Sequence, residues 1–149
     1  MRTKAAIALF ATVILVNVAI AVFVFVSTRD RDLSIPETVI DFQQAVYGGN
    51  YEAMWDLSVE PYRSGLDRQQ FIDRARDTAP PLTRINDWTV LDEHSGEVAR
   101  AYTRMQLATG DIVTHSVELH RVDNHWRVSD YSIYSGEWPP VLAVAGQGT

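Results

Sequence analysis

The sequence predicts an α+β protein: an N-terminal transmembrane helix, then about three helices packed on an antiparallel sheet. Three observations predict it. Residues 5–26 carry no charge. Ser34, Asn50 and Asp67 each have the form of a helix cap and precede apolar residues at helical spacing. Beyond Pro81 the apolar residues recur at every second position instead.

The first element is the run AAIALFATVILVNVAIAVFVFV, from Ala5 to Val26, with Thr12 and Asn17 as its only polar side chains. A helix of that length spans about 33 Å, enough for a hydrocarbon core of about 30 Å. A cleaved secretory signal would have a shorter apolar region and small residues at its end. Here Phe25 and Val26 are bulky, so an uncleaved anchor is expected in preference to a signal peptide or a buried soluble helix. The chain has no cysteine, which excludes a lipoprotein anchor and a disulfide framework. Arg2 and Lys4 precede the span, and Arg29 and Arg31 follow it, so side-chain charge does not set the orientation. A short leading tail usually stays inside, and a large following domain crosses largely regardless of charge. The expected organisation is a cytoplasmic tail over 1–4, a membrane helix over 5–26, and a charged juxtamembrane linker over 27–34. An extracytoplasmic domain over 35–138 and a flexible tail over 139–149 complete it.

The helices come next. Ser34-Ile35-Pro36-Glu37 reads as a capping box with an early proline. Ile35, Val39, Phe42 and Val46 then share one helical face, and Gly48-Gly49 stops the helix. Asn50 caps a shorter helix carrying Ala53, Met54, Trp55 and Leu57. Pro61 and Gly65 break the chain. Asp67 through Gln70 is a second capping box, opening a helix with Phe71, Ile72 and Ala75 that Ala79-Pro80-Pro81 ends.

The strands follow. Asn86, Trp88 and Val90 alternate with Asp87, Thr89 and Leu91. Ala99, Ala101, Thr103, Met105 and Leu107 alternate with Arg100, Tyr102, Arg104 and Gln106. Val113, His115, Val117 and Leu119 form a third apolar face, and Trp126, Val128 and Asp130 fall on a fourth. A two-residue turn at Asp123-Asn124 would set Arg121 opposite Trp126, Leu119 opposite Val128, Val117 opposite Asp130 and His115 opposite Ser132. At Thr109-Gly110 a two-residue turn would put the apolar faces on opposite sides, so a three-residue loop or a bulge is expected.

Two segments carry a resemblance. Val39-Ile40-Asp41-Phe42, with Tyr47-Gly48-Gly49-Asn50-Tyr51-Glu52-Ala53-Met54-Trp55, resembles the opening of the nuclear transport factor two-like (cystatin-like) superfamily. The close, Val117 to Val128 through Asp123-Asn124-His125-Trp126-Arg127, resembles its last hairpin, with Asp-Asn where that turn usually holds a glycine. The similarity covers roughly residues 35–134. It implies a cone whose curved sheet wraps a helix and often leaves a pocket. The superfamily holds isomerases and dehydratases beside many non-enzymatic binding domains, some of them membrane-anchored envelope proteins, so the fold does not select a function.

Charge excludes one class. Without Arg2 and Lys4, eleven basic residues face nineteen acidic ones, which argues against nucleic acid as a partner. For catalysis, His115 and Asp130 are the candidates: the expected register sets them diagonally on the inward face, where a carboxylate could orient the imidazole as a general base. The plainer reading is a buried pair satisfying each other. His94, His120 and His125 are scattered, and neither metal nor cofactor is expected. A ligand pocket would draw on Trp55, Trp88, His115, Trp126 and Asp130. Tyr102, Arg104 and Gln106, on the face turned away from the helices, would form a partner face, and Arg121 would stack on Trp126. The expected role is a non-catalytic accessory domain. It would sit at the membrane lipid through 5–26 and bind an envelope protein, another copy of itself or a small apolar ligand. The alternatives are an isomerase or dehydratase using His115 and Asp130, and a passive oligomerising domain.

Overall fold

The computed structural model describes residues 34–142, so the expected anchor from Ala5 to Val26, the linker up to residue 33 and the tail beyond 142 lie outside the described residues. No helix among the described residues is long and apolar enough to cross a membrane. Three helices, α1 (Ile35–Gly48), α2 (Tyr51–Asp56) and α3 (Arg68–Thr78), precede four strands. The strands β1 (Ile85–Ser95), β2 (Val98–Leu107), β3 (Ile112–Val122) and β4 (His125–Ile133) form one antiparallel meander in that order.

Each helix starts where its cap residues require. The Ser34 hydroxyl accepts from the Glu37 amide while the Glu37 carboxylate accepts from the Ser34 amide, so two otherwise orphaned donors are paired. Asp67 and Gln70 repeat the arrangement at α3. Gly49 ends α1 in the left-handed region at φ 73°, and the next residue, Asn50, already caps α2 by accepting from the Ala53 amide. The two helices therefore meet with no loop residue between caps.

The inner face of the sheet packs on α1, which contacts β1, β2 and β4. Ile35, Val39, Phe42 and Val46 are all buried, as their spacing predicts. So are Thr38, Gln43, Ala45 and Tyr47, which makes α1 a largely enclosed core helix. Across from it lie Ala99, Ala101 and Met105 of β2, Val117 and Leu119 of β3, and Trp126 and Val128 of β4. Phe71, Ile72 and Ala75 bring the inner face of α3 into the same core.

The turns show how register is set. Between β2 and β3 the loop is Ala108-Thr109-Gly110, three residues closed by a bond from the Leu107 amide to the Asp111 carbonyl, with Gly110 at φ 94°. Asp123 and Asn124 both take positive φ between β3 and β4, as a tight turn of the I′ kind demands.

Beyond Val128 the expected register fails. Arg121 pairs with Trp126 and Leu119 with Val128, as expected, but Glu118 then pairs with Asp130, Val117 with Tyr131 and His115 with Ile133. Ser129 is the extra residue of a bulge, and a one-residue slip exchanges the two faces of everything that follows. Asp130 is turned outward and exposed, and Tyr131 takes the inward position. Two contacts support the bulge. The Ser129 hydroxyl donates to Glu118, and residues 57–59 pair in parallel beside Val128, through Val59 N to Val128 O and Val128 N to Leu57 O.

Candidate functional site

A cavity of about 290 Å³ lies between α1, α2, α3 and the connection over residues 61–66. Its apolar walls are Val46, Met54, Leu66, Phe71, Ala75 and the Tyr62 and Tyr131 side chains. The face of α3 that lines it is Phe71, Arg74, Ala75 and Thr78, a spacing of three, four and seven that puts all four on one side of a helix. The aromatic walls brace each other edge to face. Phe42 meets Tyr62 at 5.4 Å and Tyr131 at 5.3 Å between ring centres, and Phe71 meets Tyr62 at 5.9 Å and Trp55 at 5.5 Å.

Polar groups ring the cavity. Arg63 lies over the Trp55 ring at 4.0 Å and donates to the Trp55 carbonyl at 2.8 Å, while its Nε is buried without a partner. Burial lowers its pKa, and Glu60 and Asp56 raise it, so it remains a cation at neutral pH. Arg74 is exposed and makes no ion pair among the described residues. Among the described residues no carboxylate lines this cavity. Burial, reinforced by the Asp130 charge, pushes the Tyr62 phenol up to about 12.

Behind Tyr131 lies a second, buried cluster. The His115 ring stacks on Tyr131 at 4.6 Å with 9° between planes, and Tyr47 meets its edge. Gln43, fully buried, donates its amide to the Thr103 hydroxyl. The His115 Nδ1 is buried without a hydrogen-bond partner, and the Gln43 side chain lies near enough to the Tyr131 hydroxyl to act on its ionisation. Burial drives the His115 pKa down to about 4, so its imidazole is neutral at pH 7. It also raises the Tyr131 phenol strongly, which keeps that hydroxyl protonated.

The five residues expected to line one pocket are dispersed. The bulge at Ser129 separates His115 from Asp130, so the expected diagonal pair does not form, and neither residue lines the 290 Å³ cavity. Trp55 stands one layer outside it, against Phe71 and Arg63. Trp88 is half-buried on β1 with its indole N–H unpaired. Trp126 borders a different, open hollow of about 460 Å³ with His94, Asp92, Arg121 and Ser34, and Arg121 lies over its ring at 5.9 Å. Tyr102, Arg104 and Gln106 do share the outer sheet face, with Tyr102 edge-on to Tyr134. Among the described residues no group of His, Cys, Asp or Glu is arranged to hold a metal.

Sequence reasoning missed Tyr62, Arg63, Leu66 and Arg74. The first three sit between Pro61 and Asp67, where no periodicity assigns a face. Arg74 carried a usable signal: it lies three residues beyond Phe71, on the same side of α3.

No family model and no curated protein matches the chain. Solved structures do resemble it. An NTF2-like (nuclear transport factor two-like) protein of Campylobacter jejuni, provisionally assigned as a transpeptidase, is 15% identical with a TM-score of 0.48, over 64% of this chain and 98% of that one. An NTF2-like protein of unknown function from Silicibacter pomeroyi is 19% identical with a TM-score of 0.46, over 65% and 90%. A SEC-C motif containing protein from Rhodopseudomonas palustris is 12% identical with a TM-score of 0.50, over 72% and 85%. The neighbours thus include NTF2-like proteins.

Proposed function

We propose that the chain is a non-catalytic accessory domain of the nuclear transport factor two-like superfamily. Residues 5–26 tether it to a membrane with the domain outside the cytoplasm, and it binds a small apolar ligand. The observation that carries the reading is the 290 Å³ cavity walled by Phe71, Tyr62, Tyr131, Met54 and Val46. Binding sites are concave, mostly apolar, and edged by a few placed polar groups, and this cavity has that composition. Its volume lies near the lower end of such sites, so the ligand is small. The uncharged run supports the tether through its length and composition. A tether confines the domain to a thin layer and raises its effective concentration toward anything delivered at the membrane.

The test uses the full chain in phosphatidylcholine nanodiscs, titrated with fluorobenzene and followed by fluorine NMR, with empty nanodiscs as the baseline. Saturable one-site binding is expected, and Thr78→Trp, which fills the mouth from an exposed position, should remove it. Binding that is absent, or indifferent to that substitution, would defeat the cavity reading. For the tether, the native chain should stay with membranes through an alkaline carbonate wash. A mature chain beginning near Ser27 and recovered in the aqueous fraction would defeat it.

A further inference from the structure

We infer that the cavity selects an anionic amphiphile: a short apolar body carrying one oxyanion head, with Arg74 as the group that recognises the head. The inference rests on the cavity reading above and adds the chemical class of its occupant.

Three observations carry it. First, the lining joins two guanidiniums, Arg63 and Arg74, and among the described residues no carboxylate. That is not the charge of the domain at large, since residues 34–142 hold nine basic and seventeen acidic side chains. A cationic mouth on an acidic domain is a local feature, and it rejects a cationic ligand as well as attracting an anionic one. Second, the two arginines are differently engaged. Arg63 is held by the Trp55 ring and carbonyl, with the Glu60 and Asp56 charges acting on it, so it is already engaged. Arg74 is exposed, has no ion pair among the described residues, and can turn its planar fork to a carboxylate or phosphate. Third, Arg74 lies one helical turn from Phe71 and next to Ala75, both buried walls of the same cavity. One small molecule can therefore place an apolar body on Phe71, Met54 and Val46 while its head stays at the rim in water. No charge then has to be buried.

The test compares octanoate, 1-octanol and octylammonium, which share an apolar body and differ in head charge. Retention is measured by equilibrium dialysis against the full chain in phosphatidylcholine nanodiscs, with empty nanodiscs subtracting lipid partition. Octanoate is expected to bind about two- to fivefold more tightly than octanol, the effect of one solvent-exposed ion pair, and octylammonium least. Arg74→Gln should erase the preference for octanoate over octanol. Thr78→Trp should abolish all three. If the three ligands bind alike, or if Arg74→Gln keeps the preference, the inference is overturned while the apolar cavity stands. Inorganic phosphate that competes with octanoate at equal concentration would also overturn it, by reducing the site to a simple anion site. Failure of every ligand, fluorobenzene included, would instead fall on the cavity reading itself.

Discussion

Tyr131 belongs to two regions of opposite character. On the side of α2 and α3 it walls a cavity that is apolar, has free volume and is ringed by cations. On the side of β2 and β3 it covers Gln43, Thr103 and His115, which are polar and buried. The comparison separates an apolar lining from a polar one. Around the cavity the walls offer contact area and two arginines. Where titratable groups gather, they are buried against one another. A neutral His115 and a protonated Tyr131 behave there as core residues whose polarity is a cost to the fold.

The largest expected effect comes from removing the partition. Tyr131→Ala should cost about 2–3 kcal/mol, below the range for fully buried aromatics because the ring is partly buried, since it deletes the stack on His115 and the edge contact with Phe42. Urea denaturation gives the number, and a loss under about 1 kcal/mol would show that the two regions are not joined through this ring.

The next test concerns pH. The His115 pKa is about 4 in the fold against an ordinary value near 6.5, so between those limits the unfolded chain holds the extra proton. Stability should be full above pH 6.5, fall as pH drops through that window, and stop falling on this account below pH 4. One proton limits the slope to about 1.4 kcal/mol per pH unit. His115→Gln should flatten the curve between pH 6.5 and 4, and an unchanged slope would show that His115 is hydrated.

The smallest effect belongs to Asp130. It points outward, so Asp130→Asn should shift stability by less than about 0.5 kcal/mol, as surface changes do. It should also lower the Tyr62 phenol from about 12, since a negative charge that opposes ionisation is lost. Ultraviolet titration of the tyrosines reads that shift. A loss of several kcal/mol would restore the paired His115–Asp130 geometry that the bulge rules out.

Local chemistry made much of the fold legible. Ser34, Asn50 and Asp67 announce helix starts because a side-chain oxygen must satisfy the first amides, and the structure finds each one capping. The three-residue loop at 108–110 follows from asking which length puts two apolar faces on one side. The bulge at Ser129 also left a trace. Unbroken alternation puts charged Asp130 inward and aromatic Tyr131 outward, an inversion that one inserted residue repairs. The cavity was illegible for a different reason. Tyr62, Arg63 and Leu66 belong to an irregular connection, and only the packing of three helices brings them to Phe71 and Tyr131.

The adjoining caps at Gly49 and Asn50 have a consequence for how such a chamber can adapt. Val46 and Met54 stand on helices joined by a tight corner, where Gly49 takes a left-handed φ of 73° that a side chain rarely adopts. That jamb of the doorway is fixed in the backbone. A bulkier guest must therefore push back the opposite jamb, the irregular stretch from Tyr62 to Leu66, and substitutions there are where the tolerated size of guest can be retuned without disturbing the hinge side.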